Sequence, residues 1–454
     1  MAQLENSDIQ GFALSSYSKN MPCASYYLLK ITDPEKCRRW LKGLLNEITT
    51  GLDRKEDFCQ NIAFTATGLA KFGFTEGELG SFSAPFQEGM ITSTRQQILG
   101  DYRGSAPQNW SWGNASKPVD VLLLLFARDE NMLAERHRKI TTQIQSNGGV
   151  ELIVSLSAGR QPDSREHFGF FDGVGQPVIE GTEQRSRQLK RTGHATEIKA
   201  GEFILGYENE MQKIDSVPTR KIMENFGRNG TYLVFRQLEQ HVAVFWNYLK
   251  NTTSKNGEEG SIQKQESLAA KIIGRWKSGA PVTLHPLCDP TSPSETPQEN
   301  NFTYAEFDKD GLHCPVGAHI RRTNPRDSLL DDGSLSLLTV NRHRIIRRGR
   351  SYGDRLLDVY NDDKKERGLH FICINSNIER QFEFIQQTWV NNQTFGGLNS
   401  ELDPLIGHRE TSDTFTIPGC PARTRIHGLE DFVTTKGGAY FFMPGIEALR
   451  NLTQ

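Results

Sequence analysis

Three stretches of the chain gather residue types that can do chemistry. The first runs His167-Phe168-Gly169-Phe170-Phe171-Asp172-Gly173-Val174-Gly175-Gln176-Pro177 and sets one carboxylate among three phenylalanines, three glycines and a proline. Glycine permits backbone conformations that other residues avoid and lets a flat ligand approach closely. A carboxylate held against aromatic rings takes its pKa from its surroundings and can accept or return a proton. The plainer alternative is a turn in which Asp172 bonds nearby N–H groups. The second stretch runs from His313 to Asp327, HCPVGAHIRRTNPRD. Pro315 suits a first helical turn and Asn324-Pro325 ends it, so a short helix with His319 near its middle is expected. Gly317 and Ala318 leave room beside that histidine, and an imidazole on a rigid helix is a good axial ligand for haem iron. Arg321, Arg322 and Arg326 are cations suited to carboxylate partners such as propionates. A zinc reading of His313, Cys314 and His319 lacks a clear fourth ligand. A core histidine beside a basic surface is the remaining alternative. The third stretch, from Asn341 to Asp354, crowds arginines around Ile345-Ile346. It reads as a strand with cationic ends. That strand is either solvated, a phosphate site, or, if buried, a fixed cation placed to stabilise developing negative charge.

The elements that must position these stretches follow from periodicity. Tyr26 to Ile31 reads as a buried strand, and Pro34 opens a helical pattern to about Thr50, with Trp40, Leu41, Leu44, Leu45 and Ile48 at helical spacing. Asn61 to Phe64 is a second strand. Val119 to Ala127, VDVLLLLFA, is continuously apolar, which argues burial on both faces. Asp129 caps the next helix, Gly148 stops it, and Val150 to Leu156 follows as a strand. The pattern then recurs. A strand from Tyr232 to Leu238 precedes an aromatic helix from about Gln240. A strand from Leu369 to Asn375 precedes a helix from about Asn377 to Asn391. Tyr440 to Met443 closes the chain as a strand. Two rounds of strand, helix and strand predict two α+β sandwiches of related build. Glu180 to Ala200 and the proline-containing Ser278 to Asn301 read as insertions.

Composition bounds the function. The chain has 454 residues, enough for two or three domains, with 36% hydrophobic and 24% charged residues, as in an ordinary globular enzyme. A net charge of -2 gives no electrostatic footprint for nucleic acid or an acidic membrane surface. No apolar run reaches the length of a spanning helix, and the N-terminus shows no secretory or twin-arginine signal. The seven cysteines are odd in number and widely spaced, with no C-x-x-C pair. That pattern fits reduced thiols in a cytoplasm.

Taken in order along the chain, these stretches resemble the dye-decolourising peroxidase family. Its G-x-x-D-G signature is similar to Gly169-Phe170-Phe171-Asp172-Gly173. Its proximal-histidine segment resembles Cys314 to Arg326, and its distal-arginine segment resembles Ile345-Ile346-Arg347-Arg348-Gly349 followed by Tyr352-Gly353. The likeness continues through Gly368 to Cys373, Gln381-Phe382, Trp389, Asp403-Pro404-Leu405-Ile406-Gly407 and Gly437 to Pro444, and includes Asp8-Ile9-Gln10-Gly11 near the start. Length and insertions resemble the larger, class C/D-like branch.

The resemblance implies an α+β fold of two ferredoxin-like domains, of the dimeric α+β barrel type, with haem b between them. Residues 1–215 would carry the distal Asp loop, and 216–454 the proximal His and distal Arg. His319 would be the iron ligand, with Asp172 and Arg347 on the other face. Phe171, Gly173, Arg322, Leu369 and Phe371 would border the cofactor, and Asp403 would pair with the second His319 nitrogen, raising its basicity. The implied activity reduces hydrogen peroxide and oxidises small organic reductants, dyes and phenols, in one-electron steps through a ferryl intermediate. Asp172 would move the proton and Arg347 would stabilise O–O cleavage. An Asp base also implies an acidic optimum. Tyr352 and Trp389 are redox-active types in the matched segments, suited either to surface oxidation by electron hopping or to plain core packing. No nucleic-acid or membrane partner is expected of this monomer or homo-oligomer. The rival reading is a haem-binding or iron-releasing protein, which would keep His319 but have no need of Asp172 with Arg347.

Overall fold

The structure is a computed structural model. It describes residues 3–454 apart from 54, 185, 187–195, 255–259, 291–299 and 411. Much of the two insertions therefore lies outside the described residues.

The first half contains β1 (Cys23–Ile31), α1 (Pro34–Leu44), β2 (Phe58–Phe64), β3 (Val121–Ala127), α2 (Glu130–Asn147) and β4 (Val150–Gly159). Its strands are antiparallel in the order β2-β3-β1-β4. The second half repeats this plan with β5 (Thr231–Gln240), α3 (Val242–Thr253), β6 (Ile346–Arg347), β7 (Arg350–Tyr352), β8 (Gly368–Asn375) and β9 (Val433–Met443). Here β9-β5-β8-β7 is the order, and β6 also pairs with β8. All strands of the first half fall within 1–215 and those of the second within 216–454. Two narrow seams, Phe64 with Phe442 and Gly159 with Ser351, join the halves and close the sheet into a barrel. Closure removes free strand edges.

The apolar run of β3 explains its place. Val121, Leu123 and Leu125 pack under the helices with Trp40, Leu41, Leu44 and Ile140. The alternate residues Leu122, Leu124 and Phe126 fill the barrel interior with Tyr26, Phe235, Ile372 and Phe441. Both faces are buried, as a continuous apolar strand requires. The Asp129 side chain accepts the Met132 N–H, and Gly148 ends α2 in the left-handed region at φ 64°.

Four local expectations change. The helix from Pro34 ends at Leu44 and tightens into a 3-10 turn over Leu45–Glu47, short of Thr50. The last strand begins at Val433, where a polar stretch is drawn into pairing with β5 and a register shift lies between Thr435 and Gly437. The helix after β8 is π-wound over Glu379–Glu383 and Ile385–Val390, a form that often accompanies functional sites. His319 opens its helix, His319–Thr323, and does not sit in its middle. The Pro315 carbonyl accepts the Ala318 N–H at 2.9 Å, which makes a separate turn, and Ala318 itself is extended. No helix among the described residues is long and apolar enough to cross a membrane.

Candidate active site

His319 and Asp403 meet although 84 residues separate them, with Nδ1 2.9 Å from Oδ2. Asp403 is fully buried, and its Oδ1 accepts the N–H groups of Leu405 and Ile406, each at 2.9 Å. Burial by itself would raise this carboxyl. The adjoining His319, the Ile406 N–H and Arg322 outweigh it and hold the carboxyl below its ordinary value. An ionised Asp403 can only accept, so Nδ1 carries a proton, and in the neutral imidazole Nε2 keeps a free lone pair.

The His319 ring borders two adjoining cavities, of about 210 Å³ and about 150 Å³. His319, Arg347, Phe371, Phe382, Gln386 and Ile406 belong to both walls. Strand alternation builds one wall: Leu369 and Phe371 of β8 face the larger cavity, whereas His370 between them points into the barrel, stacked on Tyr352 at 4.5 Å. Arg236 and Leu238 of β5, which pair with Phe371 and Leu369, extend that wall.

Arg347 lies on β6, opposite Cys373 of β8. Its Nη2 donates to the Val174 carbonyl at 2.9 Å, and its backbone N–H donates to the Gln176 side chain at 3.1 Å. Those bonds clamp the turn that follows Asp172. Asp172, which lines the larger cavity, closes a hairpin: its N–H donates to the Ser164 carbonyl at 3.0 Å. Its carboxylate accepts the Gly173 N–H at 2.6 Å. The turn-like bond weighed from sequence is thus present in an exposed residue that also borders the cavity.

Cations dominate the smaller cavity, which is lined by Arg275, Arg326, Arg344 and Arg347. Burial, then the positive charge of Arg326 and Arg347, pushes Arg344 down to about 9. Burial, followed by Arg326, does the same to Arg275. Among the described residues Arg326, Arg344 and Arg347 form no ion pair. Arg326, Arg344 and Arg347, half-buried on a wall that carries no carboxylate among the described residues, make an anion-binding arrangement.

Some expected neighbours stand elsewhere. Arg322 is completely buried but lines neither cavity: it donates to the carbonyls of Trp389 and Glu401, each at 2.7 Å, and of Asn392 at 3.1 Å. Its two Nη atoms are held by these three main-chain carbonyls. Phe171 and Gly173 flank Asp172 without lining either cavity, Phe171 being tied back through its N–H to the Lys277 carbonyl at 3.1 Å. Trp389 is 2% exposed, so its ring is not presented for direct contact with a bulky dye, whereas Tyr352 is half-buried and stacks on His370. Sequence reasoning missed Phe382 and Gln386, which lie four apart on the π-wound helix, and Arg236 and Leu238, which only the β5–β8 register reveals. It also missed Arg275.

Comparison with known proteins agrees with this geometry. The family model of the DyP dimeric alpha+beta barrel domain matches residues 8–159, and that of the Dyp-type peroxidase, C-terminal, matches 163–421. Dye-decolorizing peroxidase msp1 of Mycetinis scorodonius is 30% identical over 479 residues, covering 99% of this chain and 88% of that protein. Dye-decolorizing peroxidase AauDyP1 of Auricularia auricula-judae is 30% identical over 473 residues, covering 98% and 86%. A solved ancestral D-type dye decolorizing peroxidase shares 29% identity at a TM-score of 0.83, with 100% of both chains covered. The DyP-type peroxidase of Anabaena sp. shares 26% identity at a TM-score of 0.82, covering 98% of this chain and 94% of that one. With family models over both halves of the barrel and near full-length relatives in agreement, this chain belongs to the dye-decolourising peroxidase family and is a peroxidase.

Proposed function

We propose that the chain is a haem b peroxidase that reduces hydrogen peroxide and oxidises dyes and phenols, with His319 as iron ligand and Asp172 and Arg347 acting on peroxide. The observation that carries this reading is the His319–Asp403 pair, which leaves Nε2 bare beside a cavity also lined by Asp172 and Arg347. The donor set fits haem. A neutral imidazole oriented by a carboxylate suits iron, apolar walls at Leu369, Phe371, Phe382 and Ile406 suit a porphyrin, and Arg275, Arg326 and Arg344 suit its propionates. Haem supplies the iron that binds peroxide and takes up its oxidising equivalents.

The protein side of the reaction follows from the groups in place. Asp403 fixes the His319 tautomer and increases its electron donation. Asp172, ionised, accepts the proton from one peroxide oxygen and returns it to the other, so that water leaves as the O–O bond breaks. The Arg347 guanidinium stabilises the negative charge that develops on the departing oxygen. Its hold on Val174 keeps it beside the Asp172 turn. The larger cavity also reaches Tyr102, the exposed Arg103 and Glu410, which gives small reductants a route inward from the surface. Two successive one-electron oxidations of reductant complete the cycle.

Titration of the chain with haem tests the ligand assignment. Wild type is expected to develop a strong Soret band at one equivalent, and His319→Ala to lose tight binding. Equal binding by both would refute His319 as the ligand. A Soret band that peroxide leaves unchanged would favour a haem-binding protein instead.

A further inference from the structure

Among the described residues the Asp172 carboxylate has no hydrogen bond from outside its own turn; it accepts only the N–H of the next residue, Gly173. Where Asp172 stands is therefore decided by the hairpin that carries it. That hairpin, 164–172, is closed by Asp172 N–H to the Ser164 carbonyl and Glu166 N–H to the Phe170 carbonyl, at 3.0 and 2.9 Å, and it turns at Gly169, where φ is +98°.

One side chain runs through the middle of this turn. The Glu166 carboxylate accepts the Phe168 N–H through Oε2 and the Phe170 N–H through Oε1, both at 2.8 Å. Oε2 also accepts the Gln240 side-chain amide at 2.6 Å. Gln240 ends β5 and lines the larger cavity, so this third bond is a strut from the barrel to the loop. The hairpin tip is seated further by Trp246 Nε1, which donates to the Phe168 carbonyl at 3.2 Å, and by the Phe168 ring, 4.6 Å from that of Phe245. On the far side of Asp172, Arg347 and Arg344 hold the carbonyls of Val174 and Gly175.

We propose that Glu166 is a positioning residue for Asp172, its carboxylate bracing the hairpin so that the proton-transferring group meets peroxide at a fixed depth. All three groups facing Glu166 donate hydrogen bonds, and an ionised carboxylate, which only accepts, is their complement. Burial pushes the carboxyl up to about 7 even against these bonds. The bracing acts through the placement of Asp172, and reactions that depend on positioning are sensitive to displacements of about 1 Å, which can cost roughly a hundredfold in rate.

The proposal rests on the reading of Asp172 as the proton-transferring group, and a double-mutant cycle separates the two. Haem-loaded wild type, Glu166→Gln, Asp172→Asn and the double variant are mixed with hydrogen peroxide, and the second-order rate of the absorbance change is measured. Glutamine keeps the size of the side chain but sets an NH2 against an N–H. Glu166→Gln is expected to slow the peroxide step about tenfold or more, while KM for a phenolic reductant stays within twofold. In the Asp172→Asn background it should change the rate by less than twofold, because there is no longer a base to position. A wild-type rate in Glu166→Gln, or the same fractional loss in both backgrounds, overturns the proposal. A wild-type rate in Asp172→Asn alone overturns the Asp172 reading itself and the proposal with it. Should Glu166→Gln fail to fold, Gln240→Leu removes only the strut; about a threefold loss confined to the Asp172-containing background is expected, and no loss counts against the proposal.

Discussion

Replacing Asp403 by asparagine tests how the protein prepares His319. The buried carboxylate makes three contacts: His319 Nδ1 at 2.9 Å, and the N–H groups of Leu405 and Ile406 at 2.9 Å each. Asparagine can satisfy only part of this set. If its oxygen keeps the two main-chain N–H groups, its NH2 faces Nδ1, which must then accept. The imidazole proton moves to Nε2, the atom that faces the cavity, and blocks the ligand lone pair. The reverse orientation sets an NH2 against two N–H groups. In either case a buried charge-assisted bond is lost, about 1.5–3 kcal/mol, equivalent to roughly 10- to 150-fold in an equilibrium constant. Haem titration followed by Soret absorbance should therefore show affinity reduced by one to two orders of magnitude in Asp403→Asn, with a slower response to peroxide. Affinity within twofold of wild type would refute the reasoning.

Three more outcomes are expected. His370 is buried in the barrel with Nδ1 unpartnered, and burial pushes its pKa down to about 4 from an ordinary 6.5. The folded state thus resists protonation, so the stability that neutral His370 permits is present above 6.5 and lost as pH falls toward 4, by about 3 kcal/mol at most; denaturation midpoints of wild type and His370→Phe between pH 7 and 4 should diverge, and parallel curves would contradict this. A Cβ on Gly349 would lie 2.5 Å from the His370 carbonyl oxygen, so Gly349→Ala should cost about 2 kcal/mol in urea unfolding and slow the peroxide step by shifting Arg347; unchanged values of both would contradict the packing. Arg322→Leu strands three buried carbonyls and should cost about 3 kcal/mol of stability with little change in haem affinity. Lost affinity at unchanged stability would return Arg322 to the cofactor.

The sequence was most legible where one residue type dominates a local pattern. VDVLLLLFA could only be a strand buried on both faces, and Asp129 and Gly148 marked the ends of α2 by their own hydrogen bonding and backbone freedom. Barrel closure was not legible, since it depends on single residue pairs, Phe64 with Phe442 and Gly159 with Ser351, that no periodicity announces. In the site, the chemical types at Asp172, His319 and Arg347 stood out, but their convergence on one cavity needed the fold or a family resemblance, because they come from a hairpin, a short helix and a short strand. The partnership of Asp403 with His319 spans too much chain to be read from spacing. Arg321 and Arg322 both donate to backbone carbonyls, in the case of Arg322 from distant stretches of chain, and a sequence does not announce such contacts. Nor does it announce Arg275 and Arg344, whose value lies in sharing a cavity with Arg326.

Stopped-flow absorbance of the haem-loaded chain mixed with hydrogen peroxide tests the division of labour across the cavity most directly. Wild type should react at a rate linear in peroxide. Asp172→Asn and Arg347→Leu should each react at least about a hundredfold more slowly while binding haem as tightly as wild type. Equal rates in all three proteins would contradict the assignment of Asp172 and Arg347 to O–O cleavage.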